Sequence, residues 1–312
     1  DAVLFNNLSL AFDYFDISRE GLIMNSPIPA VLGTQSFMDN IGITAYSGFD
    51  LSVRYTYKQG NNLSFSVGVN VGHYSSEVVE SNELDYPFPW IGSEGRPSDA
   101  IYGLEAEGLL TEADIEGGPN QLFGPVSPGN IKYKDLNGDD AVQDFIDEKM
   151  IGHNRPRYNY GIDLKVKYQN FNLYVLGYGL SDYDITIRNN PYFFTYGNNK
   201  YSAYVQANRW TMDNPDVNAA HPRLTSGSNN NDDRNSSYWL INGGFFKIKN
   251  VELSYTFNES VIPKISMLKV FLRGTNLLTF SAIEDLDPEN LDFGISTYPS
   301  MRTFTTGLSI TF

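Results

Sequence analysis

The 312-residue sequence contains no cysteine and only three histidines, and its 22 basic residues are outnumbered by 37 acidic ones. Without cysteine there is neither a disulfide framework nor a thiolate metal site. A formal charge of −15 argues against nucleic acid as a partner, because a phosphate backbone is held by Lys and Arg. No run approaches the eighteen or so apolar residues of a membrane helix. That excludes a helical span but not a barrel, whose signal per segment is far weaker. No Gly-x-Ser-x-Gly elbow, Walker loop or recognisable pair of catalytic carboxylates occurs, and no enzyme activity is expected. Charged residues make up 19% of the chain, below the roughly 25% of an ordinary soluble domain. The chain opens at Asp1 with no initiator methionine or signal peptide, so it reads as a mature product or a fragment.

What the sequence does have is aromatics, 21 Tyr and 20 Phe, in strict alternation with polar residues. Leu63, Phe65, Val67, Val69 and Val71 alternate with Ser64, Ser66, Gly68 and Asn70. Phe49, Leu51, Val53, Tyr55 and Tyr57 precede them across a turn at Gly60, which makes a hairpin. Ile162, Leu164, Val166 and Tyr168 turn at Gln169 and Asn170 into Phe171, Leu173 and Val175. Val251, Leu253, Tyr255 and Phe257 are matched by Leu268, Val270 and Leu272. An opening run (Leu4, Leu8, Leu10, Phe12, Tyr14) and a closing one (Phe304, Leu308, Ile310, Phe312) complete a set of eight strands of roughly nine to fourteen residues.

The charges choose between a soluble sandwich and a membrane wall. Asp50, Arg54, Lys58, Asp163, Lys165, Lys167, Glu252, Lys269 and Arg273 all fall on the face opposite the apolar one. Lipid explains that strictness, since Arg or Lys facing the bilayer midplane costs about 2–4 kcal/mol. Lys247 and Lys249 break the rule by sharing parity with Val251. Either a bulge resets the register there or that end rises above the membrane. The connections are also lopsided: those at 58–62, 169–170 and 258–266 are short, whereas 16–46, 73–158, 181–243 and 281–301 are long. With the C-terminus periplasmic, every long one lies outside the cell, as in outer-membrane barrels. The expected fold is an all-β, transmembrane antiparallel β-barrel spanning residues 1–312. The terminal strand Phe304, Leu308, Ile310 and Phe312 would close it against lipid.

Several phrases carry a resemblance. "GNIKYKDLNGDD", followed by Ile151, Gly152, Pro156, Tyr158, Tyr160 and Gly161, is similar to a segment of the SusC-like TonB-dependent transporters of Bacteroidota. "NRWTMDNPD", through Arg209, Trp210, Asn214 and Pro215, resembles another. "GGFFKIKNVELSYTF", "FLRGTNLLTFSAIEDLDPE" and "YPSMRTFTTGLSITF" resemble the family's closing strands. The resemblance implies that these are about eight C-terminal strands of a barrel of some twenty-two, with the plug domain outside this chain. It implies outer-membrane import of oligosaccharides or peptides. The implied partners are a SusD-like surface lipoprotein as lid, the remaining barrel and plug, and TonB, ExbB and ExbD acting through the plug. The rival readings are a self-contained eight-stranded barrel serving as an adhesin or structural protein, and a soluble lectin-like β domain.

Candidate sites are few. Asp135, Asn137 and Asp139 occupy positions one, three and five of an EF-hand-like loop, which makes Ca²⁺ the candidate ion. Asp140 replaces the required Gly and Ile146 the bidentate Glu, so an acidic Asn-Gly turn is the plainer reading. No cofactor is required. Tyr86, Phe88, Trp90, Trp210 and Trp239, with Tyr192, Phe193 and Phe194, are candidates for stacking on sugar or touching a partner, or else for packing the loops. His73, His153 and His221 lie in separate loops without metal spacing. Glu112 and Asp114 read as solvated loop charge.

Overall fold

Each long alternating run becomes a strand, because β-branched and aromatic residues with period-two polarity fit a pleated surface wet differently on its two faces. The computed structural model describes residues 1–27, 36–60, 62–83, 85–188, 190, 192–193, 201–225, 230–257, 265–290, 298 and 300–311. Its main sheet has nine antiparallel strands in sequence order. They are β1 (Ala2–Leu4), β2 (Leu8–Pro27), β3 (Ser36–Gln59), β4 (Leu63–Glu80), β5 (Tyr158–Tyr168), β6 (Phe171–Ser181), β7 (Phe245–Phe257), β8 (Met267–Ser281) and β9 (Thr303–Thr311). The eight expected strands are all present, and β1 is a stub folded back on β2. Its turn places Phe5 and Asn6 at φ of 53° and 58°, with Asn7 N–H donating to the Leu4 carbonyl at 3.2 Å. This is the mirror-image turn that suits hairpin twist.

One excursion is not a loop. Residues 16–46 are mostly ladder, since β2 and β3 stay paired from Leu8↔Tyr55 to Pro27↔Ser36. Alternation fades there because both faces stand clear of hydrocarbon, which removes the pattern but not the pairing. Among the described residues β9 pairs only with β8, and β2 beyond Leu10 only with β3. The sheet is therefore an open arc of a barrel. Bare edges are not tolerated in lipid, which counts against a self-contained eight-stranded barrel.

The register stacks one apolar face across the arc. Leu51↔Val71, Val53↔Val69, Val69↔Ile162, Val67↔Leu164, Val166↔Leu173, Leu253↔Leu272 and Val270↔Leu308 are direct partners. Aromatic rows bound this band. At the long-loop end Phe49 stacks on Phe12 at 6.0 Å and on His73 at 5.6 Å, and His73 meets Tyr158 at 4.7 Å. At the short-turn end Tyr57 meets Phe65 at 5.5 Å, and Tyr255 contacts Phe171 at 4.7 Å and Phe257 at 4.8 Å. On β5 the rows are represented by Tyr158 and Tyr168. At ~3.3 Å per residue and a tilt of ~40° they lie about 25 Å apart along the membrane normal, the height of an outer-membrane apolar band.

The buried core lies elsewhere, in the long excursions. Leu104, Leu109, Phe123, Ile131, Tyr133, Val142, Ile187, Phe193, Trp210, Trp239 and Ile283 form one cluster. Strand pairs Ala100–Leu104 with Glu148–His153 and Asp184–Thr186 with Leu240–Asn242 frame it, together with two six-residue helices, α1 (Glu112–Gly117) and α2 (Ala203–Asn208). Thr111 and Asp114 form a reciprocal capping box on α1, so Asp114 is a structural cap rather than free loop charge.

Candidate functional site

On the face opposite lipid, charges pair across strands. Arg54 and Asp163 are both register partners of Gly68, and their side chains meet over it at 2.6 and 2.9 Å. A Cβ at position 68 would run into both groups, so the glycine is what lets one bidentate pair clamp three strands. Glu252 accepts from Lys269 at 2.8 Å and from Arg273 at 2.9 Å. Lys165 lies 5.8 Å above the Tyr174 ring. Glu252, Lys269, Lys165 and Tyr174 border, with Lys167 and Ser254, an open concavity of about 500 Å³. Such a surface is polar and charged, suited to passage or to seating another polar body.

The loop layer is fixed to the wall by buried ion pairs. Arg157 and Asp99 meet at 3.0 Å with side chains 8% and 3% exposed. Burial alone would raise the Asp99 carboxyl, but Arg157, Ser76 and the Arg155 amide hold it below the usual range. Lys247 pairs with Asp287 and Glu289. It faces inward because of a bulge: β7 pairs through Ile248↔Leu278 and then Asn250↔Thr275, leaving Lys249 out of register. Of the two explanations open for this stretch, the structure selects the bulge. A cavity of about 840 Å³ separates loop layer from wall, lined by Tyr102, Asn154, Arg155, Tyr178, Asp184 and Glu289 among others.

The candidates named from sequence fall in different places. Asp135 accepts from the Gly138 and Asp140 amides at 2.7 and 2.9 Å, and Asp139 from Ala141 at 3.0 Å. Asn137 bonds Asp139 at 2.9 Å. These oxygens cap their own turn, and among the described residues no group of three or more His, Cys, Asp or Glu is arranged to hold a metal. Trp239 is 1% exposed and donates to the Asp232 carbonyl at 2.8 Å, while Trp210 is 7% exposed over Gly129. Both belong to the buried core cluster, Trp239 wholly enclosed, while Trp210 also borders an open concavity of about 390 Å³ with Met212, Pro215 and Val217. Tyr86, Phe88 and Trp90 are half-buried; Phe88 stacks on Trp90 at 4.6 Å, and Trp90 donates to the Ile146 carbonyl. His221 is buried against Trp239 rather than surface-exposed, and His73 belongs to an aromatic row. Phe304, Leu308 and Ile310 are 71%, 66% and 45% exposed on the outer face. Phe194 and Phe312 lie outside the described residues. Sequence reading missed Asp99, Arg157 and the network in which Gln121 bonds Asn231 at 2.7 Å and Asn130 bonds Asp232 at 2.7 Å. Nothing local marks residues paired across 58 to 110 positions.

Apolar outside, charged inside, bounded by aromatic rows and with unpaired edges, the sheet is part of the wall of a transmembrane β-barrel. Among the described residues no helix is long and apolar enough to cross a membrane. No family model matches the chain. It is similar over its whole length to TonB-dependent receptors of Formosa agariphila. It is 25% identical over 350 residues to receptor P3 and 26% over 343 to receptor P26, covering 33% and 34% of them. The RagAB peptide importer in its open-open state shares the fold, with a TM-score of 0.71 at 21% identity over 98% of this chain and 33% of that one. The closed-closed state gives 0.68 at 22% identity. The chain thus spans about a third of the curated relatives it matches, and the SusC-like resemblance of its phrases agrees with them.

Proposed function

We propose that this chain forms the C-terminal third of a TonB-dependent outer-membrane importer, with its C-terminus in the periplasm and its loop layer outside the cell. The observation that carries the reading is the open, charged-inside arc: its two bare edges call for further strands, and its inner face is polar enough to border a hydrated lumen. Cargo is an oligosaccharide or a peptide, and the similarity in fold to a peptide importer supports that range. A SusD-like lipoprotein covers the loop layer, and TonB, ExbB and ExbD act through a plug carried by the rest of the barrel. Catalysis has no part in it: differential affinity of open and closed states for cargo drives closure. The test is to purify the full-length protein from outer membranes through an affinity tag in this chain and weigh the native particle. A plug-bearing barrel with a co-purifying lipoprotein supports the proposal. A closed particle of 35 kDa with no companion contradicts it.

A further inference from the structure

The last excursion leaves β8 as a short strap, residues 282–290. Ile283 pins its start in the loop core at 4% exposure, and Leu286 packs against the same cluster. The Tyr192 hydroxyl donates to Asp285 at 2.6 Å. The far end is held differently, by charge: Asp287 and Glu289 converge on Lys247, whose side chain is 3% exposed, and Lys249 adds a contact to Glu289 at 3.4 Å. Parity set by Val251, Leu253 and Tyr255 would send Lys247 to lipid; the bulge at Lys249 turns it inward to meet the strap.

The strap separates two spaces. Pro288 and Glu289 border the cavity of about 840 Å³ between loop layer and wall. Asp287 and Pro288 border a second of about 680 Å³ with Thr279, Ser281 and Arg302. We propose that residues 282–290 are a partition latched by Lys247, and that releasing the latch joins the two cavities into one passage between the loop layer and the lumen. A permanent rivet would be apolar, as at Ile283. A buried ion pair adds little net stability over an apolar contact, yet removing one partner strands the others. Without Lys247, the part-buried Asp287 and Glu289 would face each other with only Ser300 and the longer Lys249 contact to hold them, which favours departure of the strap end. That asymmetry is what a releasable latch needs. The burial that would raise the Asp287 carboxyl is overcome by Lys247 and Ser300, which hold it at about 2. Burial raises the Glu289 carboxyl, so mild acid reaches Glu289 before Asp287 and leaves the Asp287–Lys247 pair in place; full release needs displacement of the lysine.

The inference rests on the wall being a barrel and is independent of which cargo passes. The test compares full-length wild-type, Lys247→Met and Lys247→Arg proteins in lipid nanodiscs by hydrogen exchange. Exchange in 282–290 is expected to rise about tenfold or more in Lys247→Met and to stay near wild type in Lys247→Arg, with 104–133 unchanged. This chain has no native cysteine; with any in the rest of the full-length protein replaced by serine, Ile151→Cys, which borders the larger cavity, reports the passage by its rate of maleimide labelling. Labelling should accelerate about tenfold with Lys247→Met in the same background. Slow strap exchange in Lys247→Met, loosening spread evenly over the loop layer, or unchanged labelling would each overturn the latch. Fast exchange of 162–166 in the wild-type protein would instead overturn the barrel reading on which the latch depends.

Discussion

In the wall the large apolar side chains are the exposed ones: Phe304 at 71%, Leu308 at 66% and Leu272 at 56%. In the loop layer they are hidden: Leu104 and Ile131 at 0%, Trp239 at 1%. The wall shows its charge on the inner face and its grease on the outer one. The difference teaches that one chain is built against two solvents. Hydrocarbon wets the outer face of the sheet, so the hydrophobic effect contributes little to holding strands there. Backbone ladders and charge clamps such as Arg54–Asp163 hold it instead. Water surrounds the loop layer, so an ordinary core forms and stabilises it by burial.

Substitutions that one region tolerates and the other does not would sharpen the comparison. The largest effect is expected at Trp239→Ala, which removes a core indole and its hydrogen bond. It should cost the loop layer about 3–5 kcal/mol, read as lost exchange protection in 104–133, while the heat-modifiable gel shift of the barrel persists. Asp99→Asn leaves Arg157 buried without its counter-charge. About 3 kcal/mol or more should be lost where loop meets wall, seen as proteolytic nicking near 96–99 ahead of any change in the strands. Leu164→Arg on the lipid face should cost about 2–4 kcal/mol by reversible unfolding into denaturant, whereas Lys165→Arg, one residue away on the inner face, should be near neutral. Equal costs at the two positions would break the comparison. Gly68→Ala should cost about 1–3 kcal/mol by driving a methyl into the Arg54–Asp163 clamp, measured the same way. The smallest effect belongs to Thr111→Ala, about 1 kcal/mol from the α1 cap. There Lys132, then Thr111, hold the Asp114 carboxyl down at about 2. The folded value lies below the unfolded one, so this contribution is full at neutral pH and fades as pH falls from about 4 to about 2. Loop-layer melting followed over that range should show the decline, and Asp114→Asn should flatten it.

The wall was legible because lipid writes on every second residue. Val67, Leu164 and Leu253 declare their face from a single strand. Where hydrocarbon ends the writing stops, which is why the β2–β3 ladder beyond Tyr14 read as a loop. The loop core was illegible for another reason. Trp210 and Trp239 sit in irregular segments whose burial depends on partners such as Tyr133 and Ile131, far away in sequence, so the sequence left them between ligand contact and loop packing. At the strap the broken parity of Lys247 and Lys249 left a bulge and an exit from the membrane equally open, and nothing in the sequence pointed to the carboxylate partners Asp287 and Glu289.

The central claim is that acyl chains wet the outer face of the arc, and site-directed spin labelling measures that directly. This chain has no cysteine; with any in the rest of the barrel replaced by serine, single labels at Val67 and Leu164 in the full-length protein in bilayers should collide with oxygen and be shielded from a water-soluble nickel chelate. Labels at the alternating positions Ser66 and Lys165 should show the reverse. Uniform access of the chelate to all four positions, or protection of all four from both reagents as in a protein core, would contradict the account.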